Sequence, residues 1–118
     1  MTDAQTLAVY DAKIEDYLRL TQAPPSKSLL AFIKAIPAGG RVLDLGCGIG
    51  TAGLALMARV PDVQVTGVEV QAFYADLARR NAQENAMALA VIEADLAVLP
   101  KELRAVTFDH VIANPPYF

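Results

Sequence analysis

Val42-Leu43-Asp44-Leu45-Gly46-Cys47-Gly48-Ile49-Gly50 sets three glycines at alternate positions directly after an apolar run. Glycine accepts positive φ and has no Cβ, so a chain leaving a strand here can turn sharply into a helix while a ligand lies against bare backbone. The flanking sequence supports this reading. Arg41 to Leu45 is a short apolar strand, and Thr51 to Val60 is a helix with Leu54, Ala55 and Ala58 along one side. Val63 to Val70 reads as a second strand. Gln71 to Asn85 is a helix with Phe73, Leu77 and Ala78 inward and Arg79, Arg80 and Glu84 outward. Leu89 to Glu93 and Phe108 to Ala113 are the third and fourth strands. Strands that alternate with helices build a parallel sheet, and right-handed crossovers place the helices on both faces.

The expected fold is therefore α/β, a Rossmann-like parallel sheet in the order 3-2-1-4, occupying residues 37–118. Residues 1–36 are expected to form a helical segment. Leu7, Tyr10, Ile14, Tyr17 and Leu18 recur at helical spacing, which makes the tyrosine pair core rather than substrate contact. Ser26 caps a second helix that Pro37 ends. The chain has 118 residues, enough for one domain, and its 54% hydrophobic and 19% charged content excludes a disordered polymer.

No apolar run approaches the roughly 18 residues that span a bilayer. The opening MTDAQTLAVYDAK lacks the basic and apolar regions of a signal peptide, and Cys47 alone makes no internal disulfide. A cytoplasmic protein without a membrane partner is expected. A net charge of −3 supplies no general attraction for nucleic acid, and Arg79, Arg80, Lys101 and Arg104 are too sparse for a basic stripe. His110, inside a strand, reads as structural, and no His/Cys spacing suggests a metal.

Glu69 lies nineteen residues after Gly50, at the end of the second strand, where a carboxylate can accept both hydroxyls of a ribose. A dinucleotide fingerprint reads G-x-G-x-x-G. Here the third glycine comes one residue early and Asp44 precedes the loop. That acid would repel a pyrophosphate but hold an ammonium, which favours S-adenosylmethionine. Asp44, Gly46, Gly48, Gly50 and Glu69 together resemble the cofactor site of the class I S-adenosylmethionine-dependent methyltransferases, over residues 40–118. The resemblance implies that Asp44 lies near the methionine end and that Gly46, Cys47, Gly48 and Gly50 face the cofactor. It also puts Glu69 and Val70 at the ribose, and Asp95 and Leu96 at the adenine.

Asp109-His110-Val111-Ile112-Ala113-Asn114-Pro115-Pro116-Tyr117-Phe118 carries the chemistry. Two prolines give a rigid extended exit without competing N–H groups, so the Asn114 amide oxygen and the Pro115 carbonyl can converge on one NH₂. Accepting both its hydrogens localises a conjugated lone pair and aims it, so catalysis is by positioning. Tyr117 can stack on a planar substrate, and a base inside a duplex must be flipped out. Asn114, Pro115, Pro116 and Tyr117 match the Asn-Pro-Pro-Tyr motif of amino-group methyltransferases. Residues 41–117 resemble the bacterial valine tRNA adenine-N6 methyltransferases, which implies adenine N6 in tRNA or another RNA as target and Asn114 as a further cofactor contact. Protein-glutamine N5-methyltransferases share the tetrapeptide but carry a longer helical domain before the glycine loop.

Residues 22–28, Gln22-Ala23-Pro24-Pro25-Ser26-Lys27-Ser28, lack the glycines and the acid that relatives carry over the cofactor. The order 3-2-1-4 leaves the apolar fourth strand at an edge, close to the last residue, Phe118. The expectation is a piece truncated after the fourth strand, or a chain that dimerises through it. A non-catalytic cofactor-binding fragment assembling with a partner is the third reading.

Overall fold

The structure, a computed structural model, describes residues 27–113. The expected helix over Leu7 to Leu18 with its tyrosine pair, the Ser26 cap, and Asn114 to Phe118 lie outside the described residues. The chain runs α1 (Lys27–Ala35), β1 (Arg41–Leu45), α2 (Thr51–Met57), β2 (Gln64–Glu69), α3 (Ala72–Glu84), β3 (Ala90–Glu93), α4 (Lys101–Arg104) and β4 (His110–Ala113). The strands form one parallel sheet in the order β3-β2-β1-β4, as the alternation predicts.

Successive residues of a strand face opposite sides, so β1 feeds two cores. Val42 joins Leu54, Leu56, Val65, Ala82 and Leu89 on one face, where Phe32, Ile33 and Ile36 from α1 and its exit also pack. Leu43 joins Val68 and Leu103 on the other, flanked by Leu45, Ile92 and Phe108. Leu103 belongs to α4, a single turn that periodicity cannot reveal because it is shorter than one repeat of the helical pattern. As a helix, Lys101 to Arg104 buries Leu103 and leaves its three charged side chains exposed.

Several expected boundaries shift. β2 stops at Glu69, and Val70 turns outward, 57% exposed. α2 ends at Met57, and its buried side is Gly53, Leu54 and Leu56, while Ala58 is exposed. The sheet lies under the tighter Gly53 stripe because a Cβ there would already come within 3.2 Å of Val65 Cγ1. On α3, Leu77 and Ala78 are buried as expected, Phe73 only partly, and the inner face also takes Ala75, Asn81 and Ala82. Arg79 and Arg80 point outward and pair with Asp76 and Glu84. His110 sits half-buried with its ring edge-to-face on Phe32, 6.1 Å between centroids.

β4 pairs with β1 through Val42↔His110 to Leu45↔Ala113 and lies at the sheet edge, with Val111 53% exposed. Among the described residues no helix is long and apolar enough to cross a membrane.

Candidate cofactor and substrate site

Parallel strands bring their carboxyl ends to one edge of the sheet, and β1, β2 and β4 converge there on the glycine loop. The loop is anchored to β2. The Gly46 and Cys47 N–H groups both donate to the Val68 carbonyl, at 2.8 and 3.0 Å, and the Gly50 N–H closes a turn on the Cys47 carbonyl at 2.9 Å. Gly46, Gly48 and Gly50 hold φ of 73°, 56° and 92°, the left-handed region that a Cβ penalises.

Glu69, buried at the end of β2, clamps this loop. Its Oε1 accepts the Gly48 N–H at 2.9 Å and its Oε2 the Gln71 N–H at 3.0 Å. A carboxylate oxygen has two lone pairs, so each retains one for a further donor. Asp44 behaves differently. It is 2% exposed, its Oδ2 has no hydrogen-bond partner, and burial together with the nearby Glu69 charge pushes its pKa up to about 6. Cys47 is buried with its thiol pushed up to about 12 by burial, then by Asp44 and Glu69, so it stays protonated.

Two clefts open on either side of the loop. Gly46, Gly48 and Ile49 line both. The first, about 370 Å³, is completed by Glu69, Val70, Asp95 and Leu96, with Gln71 and Tyr74. The second, about 660 Å³, holds Asp44 and Cys47, and takes Phe32 from α1 and Ile112 and Ala113 from β4. The Ala94 N–H donates to the Glu69 carbonyl and so carries Asp95 to the rim, where its Oδ1 accepts the Ala97 N–H at 2.9 Å.

Of the residues singled out in the sequence, Gly46, Gly48, Glu69, Val70, Asp95 and Leu96 meet in the first cleft, and Asp44 and Cys47 in the second. Gly50 lines neither: a Cβ there would sit 3.3 Å from Leu89 Cδ2, so its place is in the packing beneath the loop. A Cβ on Gly48 would meet nothing within 4 Å, leaving its open side to the clefts. Asn114 to Tyr117 lie outside the described residues, although Ala113, the residue before them, lines the second cleft. Ile49, Gln71 and Tyr74 were not singled out. For Tyr74 a signal existed, since it is one of two aromatics, with Phe73, in the first turn after the strand-end acid. Among the described residues no group of three or more His, Cys, Asp or Glu side chains is placed to hold a metal.

Solved structures similar in fold include several methyltransferases. TrmN from Thermus thermophilus matches with a TM-score of 0.61 and 29% identity, over 76% of this chain and 27% of that one. A SAM-dependent methyltransferase from Thiobacillus denitrificans, in complex with S-adenosyl-L-homocysteine, matches at 0.58 and 26%, over 75% and 36%. Fold and site thus define the class of S-adenosylmethionine-dependent methyltransferases. Within it, residues 23–118 match the model of the family described as Methyltransferase small domain, and the chain belongs to that family. It is 38% identical over 93 residues to the ribosomal RNA small subunit methyltransferase C of Pseudomonas aeruginosa, which covers 78% of this chain and 26% of that protein. The chain thus spans about a quarter of the length of this relative.

Proposed function

We propose that this chain is the cofactor-binding core of an enzyme that methylates an exocyclic amino group of a base in RNA. The observation that carries the reading is the buried, unpartnered Asp44 Oδ2 in a cleft that is also lined by Ile112 and Ala113, the end of β4 immediately before Asn114. A carboxylate taken out of water without a donor is costly, and a ligand cation supplies what it lacks.

The residues fit S-adenosylmethionine. Asp44 offers a charge partner to its ammonium, the free lone pairs of Glu69 accept its ribose hydroxyls, and the open side of Gly48 leaves room against the backbone. The cofactor supplies an electrophilic methyl on a sulfonium. The chain's own residues bind and orient. Asp95 and Leu96, which line the first cleft with Glu69, would face the adenine, and Glu69 holds the loop through the Gly48 N–H. In this reading the Asn114 amide oxygen and the Pro115 carbonyl accept the two hydrogens of the target NH₂, while Pro116 stiffens the exit and Tyr117 stacks on the base. Adenine N6 is the atom that the Asn-Pro-Pro-Tyr resemblance implies, and ribosomal RNA is the substrate that the relative's name favours.

The test is methyl transfer from labelled S-adenosylmethionine to total RNA and to protein from cells lacking the gene, with nucleosides resolved by mass spectrometry. Label in an amino-methylated nucleoside is expected. Asn114→Ala should lower turnover about 10²-fold, the usual cost of one oriented hydrogen-bonding group, with cofactor affinity largely kept. Label in protein alone, or on a ring carbon or ribose, overturns the proposal.

A further inference from the structure

The glycine loop is gripped from β2 by Glu69, and a second grip comes from behind. Asn81, on α3, is fully buried, and its Nδ2 donates to the carbonyl of Ile49 at 2.9 Å. Its Oδ1 has no partner. An unpaired amide oxygen in an apolar core is a cost that a leucine of the same shape would avoid. What leucine lacks is the donor to Ile49. That carbonyl belongs to one of the three residues that form the partition between the two clefts, so its position sets the width of both. The Asn81 side chain stands on the buried face of α3 with Ala75, Leu77, Ala78 and Ala82, where it is the one polar residue. The main-chain carbonyl of Asn81 serves a different purpose, accepting the Asn85 N–H and Nδ2 at the end of the helix.

We propose that Asn81 is a positioning residue that holds the glycine loop in its ligand-receiving shape through the Nδ2 bond to the Ile49 carbonyl. The inference rests on the reading of the loop as the cofactor site. The loop's freedom is restrained at Gly48 by an N–H bond to β2 and at Ile49 by a carbonyl bond to α3. Releasing the α3 bond lets the left-handed turn relax, and the cofactor must then reorder it on binding.

The experiment compares wild type, Asn81→Leu, Asn81→Asp and Asn85→Ala in the full chain. Amide hydrogen exchange over residues 46–50, thermal melts, and calorimetric titration with S-adenosylhomocysteine are the readouts. In Asn81→Leu the loop amides should exchange faster and affinity fall about tenfold, the free-energy range of one buried hydrogen bond. The melting temperature should stay close to wild type, because removing the orphaned Oδ1 offsets the lost bond. Asn85→Ala should leave loop exchange and affinity unchanged. In Asn81→Asp, a protonated carboxyl restores a donor, so its affinity relative to wild type at the same pH should recover as pH falls, while Asn81→Leu stays weak throughout. Loop exchange unchanged in Asn81→Leu overturns the inference, as does weakening in proportion to a fall in melting temperature with no recovery in Asn81→Asp. If wild type fails to bind the ligand, the cofactor reading falls, and loop exchange still decides the role of Asn81.

Discussion

Asp44 and Glu69 lie at the carboxyl ends of neighbouring strands, Glu69 as the last residue of β2 and Asp44 one before the last of β1, and the fold treats their charges differently. Glu69 is answered by two backbone N–H groups, whereas one oxygen of Asp44 is answered by none. The folded state therefore holds the Asp44 proton more tightly than the unfolded chain does, with its pKa up from 3.8 to about 6. Between those values the native state carries a proton that the unfolded state has released, so stability declines as pH rises through that window and the full penalty stands above about 6. Its upper bound is about 3 kcal/mol. Urea melts of Asp44→Asn should show a variant more stable than wild type at pH 8, with the gap closing toward pH 4. Calorimetry at pH 8 should show the same variant binding S-adenosylhomocysteine more weakly. Equal stability across pH would mean that the carboxylate finds a partner in solution. For Glu69→Ala, which strands two N–H groups and removes the hydroxyl acceptor, we expect a loss of about 2–3 kcal/mol in cofactor affinity, read in the same titration.

Among the elements, the seating of the loop on β2 depends on a residue that sequence reading passed over. A Cβ at Gly67 would lie 2.7 Å from Cys47 Sγ and 2.9 Å from Cys47 Cβ. Gly67→Ala should therefore lift the loop and weaken cofactor binding roughly tenfold or more, on the scale of 1–3 kcal/mol for overpacking. Because the Cβ of residue 47 is itself too close, Cys47→Ala should rescue the variant only in part, and Cys47→Gly more fully; no rescue by either would show that the strain lies elsewhere. The strand-loop-helix succession was legible because alternating glycines after an apolar run have few other uses. The inner faces of α2 and α3 were less so. Alanine fits both a core and a surface, so periodicity sets Ala55 and Ala58 beside Leu54, and only the position of the sheet adds Gly53 and Leu56 to the buried Leu54.

For the whole molecule, the described sheet ends at β4 with Val111 exposed, and the second core contains few residues beyond Leu43, Val68 and Leu103. An apolar edge of this kind pairs with a further strand when one is offered. We expect light scattering over a concentration series to show self-association of the 118-residue chain that Val111→Lys reduces, as charge at an edge opposes pairing. A monomer at all concentrations would refute pairing through β4.

The order of elements, the parallel sheet and the identity of Asp44, Glu69 and Asp95 as candidate ligands followed from the sequence, because strand periodicity, glycine's conformational range and the spacing of acids after strands are local properties. The tertiary structure alone decided which of these groups is satisfied. Burial leaves Asp44 Oδ2 and Asn81 Oδ1 unpaired, backbone donors from two loops converge on Glu69, Gly50 turns into packing instead of the clefts, and a one-turn helix closes the second core. Each of these depends on what lies across a sheet or beneath a helix, which no spacing along the chain encodes.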